Sequence, residues 1–257
     1  MKLISFIYCC CFASIILASD KQREAEYAAE INKNIRIGSP IYLASGNNKF
    51  LALYTETESL ENKGTVIVLH DQGQHPDQKF LIHNLRTILP QHNWATLSIQ
   101  MPLREIGTSS DDYYSLFPEA KQRIQAGIDY LQKSNIKNIV LVGHGLGSLM
   151  AVYFFNETQT TAIKALVTMS LAVPATEIQT AQTLTFLKNI NVPLLDIYGT
   201  QDLPTVTNSA GKKRKTAKGN PNFRQVKINQ VGRSFRNHED LLVKRIYSWL
   251  NLTTIGR

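Results

Sequence analysis

Cysteine is nearly missing from this chain: the three it has are consecutive, Cys9, Cys10 and Cys11. Beyond residue 11 this excludes a disulfide scaffold, a thiol nucleophile and a cysteine-based metal site. No apolar run reaches the roughly 20 residues that a membrane-spanning helix needs. With 14 Gly and 9 Pro in 257 residues the chain is not collagen-like, and 43% hydrophobic residues is too many for a disordered one. Acids are scarce in the last fifth. Residues 203–257 carry twelve Lys or Arg against only Glu239 and Asp240, whereas the first 202 residues are slightly acidic. The net charge of +8 is therefore local, which disfavours a uniformly basic nucleic-acid binder.

What is present begins with an address. Met1-Lys2 is followed by an apolar run from Leu3 to Leu17, then by Ala18-Ser19 and the charged Asp20, Lys21, Arg23 and Glu24. One positive charge, a short apolar stretch and small residues at its end predict a secretory signal over residues 1–19. All three cysteines lie inside it. The expected product is an exported protein, periplasmic or secreted and soluble once the signal is removed, with a single domain over 20–257.

That body alternates in period. Thr65-Val66-Ile67-Val68-Leu69-His70 is a β-branched run suited to a strand buried on both faces. Further strands are predicted at 94–99, 138–143, 165–170, 194–198 and 223–228. Helices are predicted at 79–89, 113–132, 146–155, 180–188 and 238–250. Residues 41–45 and 50–55 flank Gly46-Asn47-Asn48 and read as an antiparallel hairpin. The order implies an α/β fold: a mostly parallel sheet of about eight strands with helices on both faces and the hairpin at one edge. Residues 205–222, with Lys212-Lys213-Arg214-Lys215 and Lys218 among Gly and Pro, read as a mobile basic loop. Either it is merely solvated or it contacts an anionic envelope surface through Lys212, Lys213, Arg214 and Lys215. No aromatics are interleaved there, which weakens a nucleic-acid role.

The informative stretch is Leu141-Val142-Gly143-His144-Gly145-Leu146-Gly147-Ser148, where a predicted buried strand turns into a helix. Serine hydrolases carry G-x-S-x-G at such a turn, with the serine pushed up above the sheet. Here the nucleophile position is Gly145. On these residues the chain resembles the α/β-hydrolase superfamily from about residue 40 to 250, and more narrowly exported bacterial α/β-hydrolase-like proteins with a G-H-G-x-G elbow. The resemblance implies a single-domain α/β-hydrolase fold. It puts the triad acid at Asp202, in Tyr198-Gly199-Thr200-Gln201-Asp202, and the base at His238, in Gly232-Arg233-Ser234-Phe235-Arg236-Asn237-His238. The oxyanion-hole loop then falls on Leu69-His70-Asp71-Gln72-Gly73, with the amides of Gln72 and Leu146 as donors.

Each residue also has a plainer reading. Asp202 could cap the turn before Pro204, His238 could open the last helix, and His70 could be a satisfied strand-end residue. Three elbow glycines could serve only close packing. A dinucleotide site is disfavoured, because the third Rossmann glycine is missing, and a P-loop lacks its Gly-Lys-Ser/Thr ending. His70, Asp71, His75 and Asp77 have no diagnostic ligand spacing, so neither metal nor cofactor is expected. Ser148, one helical turn on, should face away from the elbow. Without an attacking oxygen the usual acyl-enzyme route stops. Two readings follow. The chain is a degenerate, non-catalytic binding member of the fold, taking a small-molecule or acyl ligand. Alternatively, it hydrolyses esters or amides with water activated by His238 or with an atypical nucleophile.

Overall fold

The computed structural model describes residues 19–254; the expected signal segment lies outside these residues except for Ser19. In chain order the elements are α1 (Lys21–Asn34), β1 (Ser39–Ser45), β2 (Asn48–Thr55), β3 (Gly64–Leu69), α2 (Leu81–Ile88), β4 (Trp94–Ile99), α3 (Ser110–Tyr113), α4 (Phe117–Lys133) and β5 (Ile139–His144). They continue with α5 (Leu146–Glu157), β6 (Ile163–Met169), α6 (Thr183–Leu187), β7 (Leu194–Gly199), α7 (Pro204–Thr207), α8 (Ala210–Thr216), β8 (Phe223–Ile228) and α9 (Glu239–Thr254). The eight strands form one sheet in the order β1-β2-β4-β3-β5-β6-β7-β8. The β1–β2 and β2–β4 pairs are antiparallel and the remaining pairs parallel.

The alternation of side chains along each strand sorts the core into two layers. Ile67, Leu69, Leu97, Ile99 and Leu141 join Phe117, Ile124, Leu149 and Phe154 from α4 and α5 on one face. On the other face Val66, Val68, Val140 and Val142 join Ile82 and Leu85 of α2 and Leu242, Val243 and Ile246 of α9. Both faces are covered, so β3, β4 and β5 are buried along their whole length, and they are apolar apart from Thr65, Thr96, Ser98 and His144.

Two segments differ from the sequence reading. Residues 204–219 are not a mobile loop but short helices, α7 and α8 followed by a 3-10 turn. Lys213 fixes them: its Nζ is buried 2.9 Å from Asp196 Oδ2 and donates to the Leu171 carbonyl. A buried ion pair with hydrogen bonds outweighs the local repulsion between lysines. The other addition is α1, capped by the Asp20 side chain, which accepts the Arg23 N–H. It docks through Ala28 and Ile31 onto Leu51 and Leu53, and Glu24 pairs with the buried Arg123.

Candidate active site

The turn from β5 into α5 has the elbow geometry. Gly145 sits at φ +54°, ψ −116°, a region that L side chains rarely adopt, and its N–H donates to the Met169 carbonyl at 2.8 Å. A Cβ on Gly143 would stand 2.7 Å from the Gly147 carbonyl oxygen and the Ser148 backbone, so the turn closes only over glycine.

Above Gly145 stands a carboxylate. Asp71, in the loop after β3, turns inward so that a Cβ on residue 145 would collide with its carboxylate group. Its Oδ1 accepts the Leu146 N–H at 2.7 Å and the Gln72 N–H at 2.8 Å. These are the two amides expected to form the oxyanion hole, and here they converge on a side chain of the protein itself. Arg233, in the loop between β8 and α9, completes the arrangement with Nε 2.6 Å from Oδ2 and Nη2 2.7 Å from Oδ1. This is a bidentate, charge-assisted pair. Burial opposes charge on Asp71, but His144, Arg233 and the Leu146 N–H outweigh it and hold the carboxyl below its usual range. Burial likewise opposes charge on Arg233, and the Asp71 carboxylate overrides it.

The remaining expected residues are placed as follows. Asp202 is buried; its Oδ2 accepts the Ser170 hydroxyl at 2.5 Å and its Oδ1 accepts the Leu203 N–H. Ser170 Oγ also lies 3.4 Å from the Arg233 carbonyl, so the acid stands beside the loop that carries Arg233. His238 is farther along that loop. Its carbonyl accepts the Leu242 N–H in the first turn of α9, and Nδ1 lies 3.2 Å from the Arg236 carbonyl. Among the described residues none of its hydrogen bonds runs to Asp202 or the elbow. Ser148 is fully buried, within hydrogen-bond distance of the Gly143 and Met169 carbonyls and accepting the Met169 N–H. His70 is buried, with Nδ1–H on the Asp71 carbonyl and Nε2 accepting the Met101 N–H; burial pushes it down to about 3. Of the basic run, Lys212, Arg214 and Lys215 are exposed and Lys213 is not. No group of three His, Cys, Asp or Glu that could hold a metal occurs among the described residues.

A cleft of about 310 Å³ opens over the elbow, lined by Gly145, Leu146, Leu149, Tyr114, Leu203 and Arg233 among others. The Gln72 side chain ties one wall, donating to the Thr108 carbonyl and accepting the Ser110 hydroxyl. Burial, with Asp111 nearby, pushes the Tyr114 hydroxyl up to about 12, so it remains a donor at neutral pH. The cleft, the elbow turn and the Leu146 and Gln72 amides thus lie together at the C-terminal end of β5. The Asp71–Arg233 ion pair stands over Gly145 and on both amides.

Sequence reasoning missed Asp71 and Arg233. Both lie in the loops expected to supply the oxyanion hole and the base. The usable signal was an acid in one loop and an arginine in the other, opposite a glycine that left space between them.

A family model described as "Protein of unknown function (DUF3530)" matches residues 18–121 and 108–252. No curated protein matches the sequence. Among solved structures, Est1E from Butyrivibrio proteoclasticus superposes with a TM-score of 0.67 at 18% identity, covering 86% of this chain and 100% of that one. The esterase Pf2001 from Pyrococcus furiosus gives 0.68 at 15% identity, covering 84% and 93%. A dienelactone hydrolase from Anabaena variabilis gives 0.66 at 16%, covering 84% and 98%. At these identities the likeness establishes the α/β-hydrolase fold.

Proposed function

The chain belongs to the DUF3530 family and has the α/β-hydrolase fold, and on that premise we propose that it is an exported, non-catalytic binding member of that fold. One observation carries the reading: the Asp71 carboxylate occupies both the space above Gly145 and the Leu146 and Gln72 amides. A substrate carbonyl would have to displace a carboxylate already paired with Arg233 to reach those donors. It would then meet a site with no oxygen nucleophile at the crown of the turn. The cleft above remains open, and its apolar lining by Leu146, Leu149 and Leu203 suits a small acyl or similar ligand held without turnover.

The test is a panel of esters, amides and thioesters together with a fluorophosphonate probe, applied to the purified mature protein. The expected result is no turnover above buffer and no labelled serine. The esterase fold of the neighbours favours a second reading, hydrolysis by water activated at His238 or by an atypical nucleophile. Turnover abolished by His238→Ala at unchanged thermal stability establishes that reading and ends the first.

A further inference from the structure

A second cavity, of about 240 Å³, adjoins the elbow histidine and is lined by Lys79, Phe80, Leu81, His144, Ser234 and Arg236 among others. Two of its side chains are exposed cations, Lys79 and Arg236, and among the described residues no carboxylate lines it. The α2 helix begins at this wall, and among the described residues no side chain caps it. The first N–H groups of a helix lack intrahelical partners and carry partial positive charge; here the His83 N–H already donates to the Gln78 carbonyl, which leaves those of Leu81 and Ile82. Phe80, at the start of α2, holds φ +70°, rare for a bulky residue, and the Arg236 guanidinium lies over its ring 4.8 Å from the centroid.

His144 adds an observation independent of the helix end. It is 3% exposed, and its Nδ1 is a buried polar atom without a hydrogen-bond partner among the described residues. Its other nitrogen, Nε2, lies 2.9 Å from the Arg233 carbonyl and can only donate there. Burial lowers its basicity, although Asp71 and Asp202 pull the other way and Arg233 adds to the lowering. The ring is therefore neutral at pH 7, and Nδ1 presents a lone pair. A cavity with cations, an uncapped helix start, the Ser234 hydroxyl and one buried acceptor matches an anion that still carries a proton.

We propose that this cavity binds a phosphate group, free or as a small phosphomonoester, whose P–OH donates to His144 Nδ1 while its other oxygens accept from Lys79, Arg236, Ser234 and the first turn of α2. The site adjoins the Asp71–Arg233 pair, because His144 Nε2 donates to the Arg233 carbonyl, but the groups that would hold the ligand are other side chains, so it does not depend on whether the elbow is catalytic. The acceptor sets the selectivity: sulfate has the same shape but no proton to donate near neutrality. Isothermal titration calorimetry on the mature chain at pH 6.5, with inorganic phosphate, glycerol phosphate and sulfate, tests it. Phosphate or its ester should bind at least about tenfold more tightly than sulfate, a gap of about 1.4 kcal/mol. Lys79→Gln with Arg236→Gln, both exposed, should weaken binding at least tenfold, whereas Lys212→Gln with Lys215→Gln should leave it unchanged. Comparing phosphate with glycerol phosphate tells whether the free ion or the ester is preferred. Equal binding of sulfate, no binding of either phosphate at 10 mM, or an equal effect of the two double variants overturns the proposal.

Discussion

Gly145 and Asp71 each fix what the other position can hold. A serine at 145 would need its Cβ inside the Asp71 carboxylate, and at φ +54° it would also incur backbone strain. Gly145→Ser alone is therefore expected to lose about 1–3 kcal/mol of stability in urea denaturation and to gain no esterase activity. Clearing the space and supplying a base are both required. Asp71→Gly, Gly145→Ser and Arg233→His together should hydrolyse a nitrophenyl ester about a hundredfold faster than Gly145→Ser alone, the low end of what a positioned general base contributes. No gain in the triple variant, at retained fold, argues against an intact acyl-transfer frame around the ion pair. The pair itself is tested by a double-mutant cycle. Asp71→Ala leaves the largely buried Arg233 uncompensated and should cost about 3 kcal/mol, while adding Arg233→Ala should restore a good part of it.

Elements formed by periodicity were legible, and elements held by distant charges were not. Every strand of the sheet is visible as a β-branched or alternating run, and the elbow as glycines at two-residue spacing between a strand and a helix. By contrast α1 buries only Ala28 and Ile31 as apolar side chains; its other buried anchor, Glu24, reaches Arg123, 99 residues away. Nothing local announces that contact. α8 presents the same difficulty. Its lysine run reads as solvated because repulsion is local, while the Asp196 that holds Lys213 lies on β7. Asp196 also accepts the Thr168 hydroxyl and the Gln225 side-chain amide, so its charge is compensated in three dimensions only. Lys213→Met is expected to lower stability by about 3 kcal/mol, because it strands a buried carboxylate. Changing Lys212, Arg214 and Lys215 to Gln should alter unfolding stability by less than about 0.5 kcal/mol. Equal effects from the two sets would mean that α8 is not anchored through Lys213. The site divides along the same line: the amides of Gln72 and Leu146 follow from the fold, but the Asp71–Arg233 pair spans 162 residues.

At the scale of the molecule, buried imidazoles set the response to acid. Burial lowers His70 to about 3, and it also lowers His75 and His144. In the unfolded chain each histidine titrates near 6.5. Below that pH the unfolded state binds protons that the folded state refuses, so the stability these groups contribute is complete above about pH 6.5 and is lost as pH falls toward their folded values. A group in that interval contributes a slope of at most about 1.4 kcal/mol per pH unit. The carboxylates act in the same direction at lower pH. Asp71, Asp77 and Glu119 are all held below their ordinary values, so their contribution is lost as pH drops through about 4 and below. Glu24 opposes them, because burial raises it despite Arg123. The thermal midpoint measured by calorimetry should therefore be flat from pH 8 to 7, decline between 6.5 and 4.5, and fall more steeply below 4. His70→Gln should lower the midpoint at pH 7 yet flatten the decline between 6.5 and 4.5, since glutamine cannot take up the proton that drives it. A midpoint unchanged between pH 7 and 5 in the unaltered protein would mean that these imidazoles accept protons within the folded state. The neutral His144 on which phosphate recognition relies would then have to be abandoned as well.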